Sequence, residues 1–161
     1  MNFIKDILIP CVCVTAAAFS YGVVFHIKGK KLLIAAIGGI LSWTVYLLTD
    51  GIYVNDIPQY FIAACAVSAY SEIMARITKT PVTLYLVVVI LPLVPGGLLY
   101  YTMEEFILGN GDIFLDKLLY AFGVAGSIAL GVFLISTIAR LITVGRGKIM
   151  ALSKNNSIKQ K

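Results

Sequence analysis

The sequence is short of the groups from which soluble enzymes and binding domains are built. It has one histidine, three cysteines and one tryptophan in 161 residues, and only 13% of it is Asp, Glu, Lys or Arg. Soluble domains carry roughly a quarter charged residues, so an ordinary water-facing surface is excluded. The lone His26 leaves no Ser/His/Asp-type set, and no Gly-rich phosphate cradle precedes a helix. Cys11, Cys13 and Cys65 lie in apolar runs without zinc-ligand spacing, and their odd number supports neither a disulfide framework nor a redox pair. No enzyme, metal or cofactor is expected.

What the sequence does have is apolar length. Sixty per cent of the residues are hydrophobic and the mean hydropathy is +0.94. A membrane-crossing helix needs roughly 20 mostly apolar residues. Five runs satisfy this, at about 7–25, 32–49, 57–75, 82–103 and 118–139. The expected fold is an all-α integral membrane protein with a transmembrane domain over residues 1–145 and a basic tail over 146–161, expected to fray. The first run has the position of a signal peptide. Its length, Pro10, the missing small-residue cleavage pattern and the second run close behind it point instead to a retained span.

Charge orders the connectors. Lys28, Lys30 and Lys31 follow the first run, Asp50 and Asp56 the second, and Arg76 and Lys79 lie near the end of the third. Glu104, Glu105, Asp112, Asp116 and Lys117 follow the fourth, and Arg140, Arg146, Lys148, Lys154, Lys159 and Lys161 the fifth. Basic and acidic connectors alternate, which by the positive-inside rule sets the amino terminus outside and the carboxyl terminus in the cytoplasm. Eleven of the thirteen basic residues then lie on the cytoplasmic side, so the net charge of +5 reflects topology and implies no nucleic-acid partner.

Within this oily background, small residues recur at packing intervals. Gly123, Ser127 and Gly131 form one stripe of the fifth run, and Ala121, Ala125 and Ala129 a second. Such stripes let helix backbones approach closely, in this chain or against a partner. An internal echo links "GGILSWTV" at 38–45 with "GGLLYYTM" at 96–103, the pattern of a parallel repeat of helix pairs.

The fourth run breaks its own pattern at "PLVPGG". Pro92 and Pro95 deprive the carbonyls of Val88 and Leu91 of their helical donors, while Gly96 and Gly97 permit a turn or a close backbone approach. Unpaired backbone at mid-membrane depth is tolerated where protein or a water-filled cavity supplies partners, and many transporters build solute sites from interrupted helices. A packing kink is the competing reading. Glu72, with Arg76 one turn later in "SAYSEIMARITKTP", is either a functional ionisable group or half of an i,i+4 ion pair. Tyr70, Tyr100 and Tyr101 flank these features; aromatics near span ends commonly anchor the interface.

These residues carry a resemblance. "YSEIMARITKTP", then "ILPLVPGGLLYYTM", together with the earlier "AFSYGVVFHIKGKKLLIAAIGGILSW", resemble the second half of the threonine/serine exporter family over roughly residues 10–145. The resemblance implies the small subunit of a split exporter, whose larger membrane partner carries a cytoplasmic domain. Hydroxy amino acids and C4-dicarboxylates such as succinate are both associated with the family. The broken run and the ionisable pair then give an expected solute path containing Pro92, Pro95, Gly96, Gly97, Glu72, Arg76 and Tyr101, in the cytoplasmic (inner) membrane of a bacterium. Five short helices enclose little volume, so a heteromer or homo-oligomer within the lipid bilayer is expected. A non-transporting assembly or regulatory subunit is the alternative from another class; a lipid-modifying enzyme lacks an evident catalytic set.

Overall fold

The computed structural model describes residues 9–49 and 55–159. Every regular element among them is helical: α1 (Ile9–Val24), α2 (Lys30–Leu48), α3 (Ile57–Thr78), α4 (Val82–Ile90), a 3₁₀ turn (Leu91–Leu93), α5 (Gly96–Ile107) and α6 (Gly111–Lys159). α2, α3 and the Gly111–Thr143 part of α6 are long and apolar enough to cross a membrane, and α4 with α5 would count as a fourth if the bent pair is one span. α1 has 16 described residues, short of that length. The helices extend past the expected apolar runs: the third continues to Thr78, the fourth region to Ile107, and the last starts at Gly111. Asp50 and the first eight residues lie outside the described residues. The tail expected to fray continues α6 as helix to Lys159, giving it a length of about 74 Å.

The packing is that of a protein whose solvent is lipid. Many buried positions are held by small residues, among them Ala18, Ala35, Ala63, Ala64 and Ala75, beside a few larger ones such as Tyr85 and Leu93, while Phe122, Phe133, Leu119 and Ile107 face outward. With hydrocarbon outside, large apolar side chains gain little from the interior, and helix association relies on close backbone approach. The chain is thus a multi-pass membrane protein.

α3 and α6 make the most extensive pairing. A Cβ on Gly131 would lie 3.0 Å from both Ala64 Cβ and the Phe61 carbonyl oxygen, and one on Gly123 would lie 3.0 Å from Ile57. The Gly123/Ser127/Gly131 stripe therefore serves a helix of this same chain. The alanine stripe divides: Ala121 is buried, whereas Ala125 and Ala129 are exposed beside Gly126, where an added Cβ meets nothing within 4 Å.

Two connectors are closed by residues with left-handed backbone. His26 (φ 56°) ends α1, with its own N–H donating to the Val23 carbonyl and the next N–H, of Ile27, to that of Gly22, both at 2.9 Å. This double bond is the helix-terminating Schellman pattern, so His26 is an exposed turn residue. Lys79 (φ 51°) ends α3, where the Thr80 N–H reaches the Ala75 carbonyl at 3.0 Å.

The ends of the bundle are fixed by polar side chains. Tyr120 Oη donates to Asp56 Oδ2 at 2.9 Å, joining the start of α6 to the start of α3. Lys117 Nζ donates to Glu105 Oε1 at 2.8 Å across the α5–α6 connector. α4 begins just beyond the Arg76 end of α3, and α5 finishes near its Asp56 end.

Candidate functional site

The proline motif breaks the helix in a defined sequence of steps. Pro92 falls in the 3₁₀ turn, and the Val94 N–H donates to the Leu91 carbonyl at 3.1 Å. The expectation of an unpartnered Leu91 carbonyl is therefore corrected: a bond of i→i+3 type replaces the one that Pro95 cannot supply. Val94 is extended (φ −63°, ψ 125°), as a residue before proline is driven to be. Pro95 (φ −77°, ψ 59°) then forms an inverse γ-turn, with the Gly96 N–H 2.7 Å from the Val94 carbonyl. α5 restarts at Gly96, bent by 52° from the preceding helix.

The restart leaves an uncapped helix end. Pro95 provides no side-chain cap, and the Leu99 N–H takes the Pro95 carbonyl at 3.1 Å. The N–H groups of Gly97 and Leu98 belong to the first turn, where no intrahelical acceptor exists. A Cβ at Gly96 or Gly97 would meet nothing within 4 Å. Neither glycine is thus needed for close approach within this chain; both keep the helix end uncovered. Gly38 and Gly39, their counterparts in the echo, are in tight contact: a Cβ at Gly38 would lie 2.6 Å from Val89 and 2.7 Å from Tyr70, and one at Gly39 2.7 Å from Ala18. The echo does not extend to structural role.

Register sets the break against its neighbours. The 3₁₀ turn touches α1, α2 and α3. Gly38 of α2 packs against both Val89 and Tyr70, and Tyr70 Oη donates to the Ile34 carbonyl at 2.7 Å. Farther along the same α2–α3 pair, the Tyr46 and Tyr60 rings lie 4.9 Å apart. Counted along the helices from these anchors, Ser42 and Ser68 lie level with the 3₁₀ turn and Ser71 level with Val88, just before it. All three are fully buried, and their hydroxyls have no hydrogen-bond partner. Gln59 Oε1 and Trp43 Nε1 are buried without a partner as well.

The other sequence-predicted residues fall into two places. Glu72 immediately follows Ser71 and lies 3.6 Å from Arg76 Nη2, a long ion pair. Arg76 makes shorter bonds to α6, with Nη2 donating to the Ala139 carbonyl at 2.9 Å and to Thr143 Oγ1 at 2.8 Å. It is first a tie between α3 and α6, and only second a partner of Glu72. Tyr101 is exposed on α5 and meets Tyr100 edge-on at 5.5 Å, so it is not brought to Glu72 or into the interior. An apolar groove lined by Cys11, Thr15, Phe19 and Ile40 contains none of the predicted residues. Among the described residues, no three His, Cys, Asp or Glu side chains are grouped to hold a metal.

The family model described as "Threonine/Serine exporter, ThrE" matches residues 10–138, which include the break, the buried serines, Glu72 and Arg76. The chain belongs to the threonine/serine exporter family. No curated protein and no solved structure matches it. Membership of an exporter family points to transport rather than catalysis.

Proposed function

We propose that this chain is one subunit of a secondary exporter for small polar metabolites bearing a carboxylate, with threonine and serine first and C4-dicarboxylates second. The observation that carries the reading is the uncapped start of α5, open at Gly96 and Gly97 beside a 52° break. A helix amino terminus presents unsatisfied N–H groups and a partial positive charge, and in transporters such half-helix ends receive anionic solute groups. The carboxylate common to both solute classes fits the N–H groups of Gly97 and Leu98.

The open side of this helix end is completed by a larger membrane subunit with a cytoplasmic domain. Gly126, Ala125 and Ala129, exposed on α6, offer it a small-residue face. In the bacterial inner membrane the chain crosses five times, α4 and α5 acting as one bent span, with the amino terminus outside. Basic residues at the Arg76 end and acidic ones at the Asp56 end support this orientation. A cysteine in the 104–117 segment is expected to react with an impermeant thiol reagent from outside and one at 26–31 to stay unlabelled; the reverse pattern overturns the orientation.

Glu72 is the acidic group of the path, carrying protons or holding a gate with Arg76. The test is export of threonine and serine by cells expressing the complete complex. Glu72→Gln is expected to reduce gradient-driven export at least tenfold with assembly intact, since the amide keeps the shape and loses the charge. Full export in Glu72→Gln removes this residue from the mechanism and favours an assembly or regulatory role for the subunit's polar residues.

A further inference from the structure

Three fully buried serines differ from seven other hydroxyls of the bundle in what they bond. Thr15, Ser20, Thr49, Thr78, Thr102, Ser127 and Thr143 each donate to a carbonyl three or four residues earlier in their own helix. That bond is the usual way for a helical hydroxyl to satisfy itself away from water. Ser42, Ser68 and Ser71 do not make it, although they are 0% exposed. A buried hydroxyl without a partner costs about 1–3 kcal/mol, and three of them between the levels of Val88 and Leu93, in a bundle this apolar, call for a ligand.

The backbone at that depth adds a fourth oxygen. Residue 92 is proline, so the Val88 carbonyl has no α-helical donor, and Val88 is itself 0% exposed. On α3, Ser68 and Ser71 are three residues apart and so share a face. Val88 shares a buried cluster with Ala75, and Leu93 one with Ala63, Ala64 and Val67, so the two clusters lie on either side of Ser68 and Ser71 along α3; Ser42 is one turn beyond Gly38, which meets Val89 and Tyr70. The set is made of neutral oxygens contributed by three segments of chain. Neutral hydroxyl and carbonyl oxygens replace the hydration shell of a singly charged ion, whereas calcium and magnesium are usually held with carboxylates. Unwound backbone at a broken membrane helix coordinates sodium in other transporters.

We propose that Ser42, Ser68, Ser71 and the Val88 carbonyl form a buried site for a dehydrated monovalent cation of sodium's size. Glu72, adjacent to Ser71 and one turn from Ser68, supplies compensating negative charge at the margin. The site deepens the export reading by naming a coupling ion; that role rests on the reading, and the binding itself does not.

Trp43 reports on the site. It is the only tryptophan in the chain, it follows Ser42 directly, and its Nε1 is buried without a partner. The full chain, purified in detergent, is titrated with sodium against potassium and choline at constant ionic strength, following Trp43 emission and thermal stability. Expected are a saturable emission change and a rise of about 5 °C in Tm specific to sodium at saturation. Ser68→Ala with Ser71→Ala should weaken the apparent sodium affinity at least tenfold. Should the double variant not fold, Ser71→Ala alone is compared with Ser71→Thr, which keeps the oxygen and should retain binding. Identical emission and Tm in sodium, potassium and choline overturn the site, and so does unchanged sodium affinity in the alanine variants. Either result would leave trapped water as the partner of these hydroxyls. Sodium binding absent with threonine export intact rejects this site alone, and sodium binding present without export rejects the export reading alone.

Discussion

Replacing Gly131 with leucine is expected to abolish recovery of folded protein, whereas leucine at Gly126, five residues earlier on the same helix, should leave the isolated chain's stability unchanged. At Gly131 the first added carbon already meets backbone: the Phe61 carbonyl oxygen at 3.0 Å and the Cys65 amide nitrogen at 3.3 Å, with Ala64 Cβ at 3.0 Å. Backbone of a packed helix does not yield as the end of a flexible side chain does. α3 and α6 would have to separate along their whole contact. Overpacking typically costs about 1–3 kcal/mol, and a rigid neighbour puts this case at or above the upper end. Gly126 faces open space, so leucine there has nothing to displace within the chain. If the α6 face at Gly126 receives the larger subunit, Gly126→Leu should lose co-purification with it while its own thermal melt is unaltered. Thermal stability and co-purification measured on both variants check this. A stable Gly131→Leu protein would show that the α3–α6 contact is looser than the structure requires.

The second large effect is expected at the break. Proline is about 3 kcal/mol less favourable than alanine in a helix interior. Pro92→Ala with Pro95→Ala should therefore let α4 continue toward α5, lessen the 52° bend and raise the stability of the helix pair. The same change removes the inverse γ-turn at Pro95 and closes the N–H groups of Gly97 and Leu98 into a continuous helix. Export per molecule at the membrane should fall at least tenfold while thermal stability holds or rises. A packing kink predicts the reverse: protein that is less stable or fails to assemble, with normal export from whatever survives.

These two cases also show what was legible in the sequence and why. Gly131 and Pro92 act through covalent properties, a missing Cβ and a missing N–H, whose consequences travel with the residue type. The stripe and the break could be foreseen for that reason. The direction in which the stripe points could not, because the same spacing serves a helix of the same chain or of a partner, and only the contact with Ala64 decides it. Hydropathy marks the apolar stretch of a helix and not its ends, as at α6, since a helix continues into polar sequence as long as no residue stops it. The i,i+4 spacing of Glu72 and Arg76 allows an ion pair within α3 but says nothing of the shorter bonds of Arg76 to Ala139 and Thr143, which cross between helices distant in sequence. Ser42, Ser68 and Ser71 were missed because serine in an apolar helix ordinarily bonds its own backbone. Their distinction is a bond not made, which residue type does not reveal, although the polar spacing of Ser68, Ser71 and Glu72 on one helix was there to be seen.

The central claim is that the open start of α5 belongs to the solute path. It is tested most directly by a cysteine at Gly97 in a complex whose native cysteines, Cys11, Cys13 and Cys65 in this chain, have been replaced. Gly97 has room for the side chain, so the Gly97→Cys protein should still export. Its thiol should react with a small water-soluble thiol reagent in spite of its depth, and threonine or serine should slow that reaction in proportion to occupancy. A transport-active Gly97→Cys complex whose thiol is inert, or reacts equally fast with saturating solute present, would contradict the account.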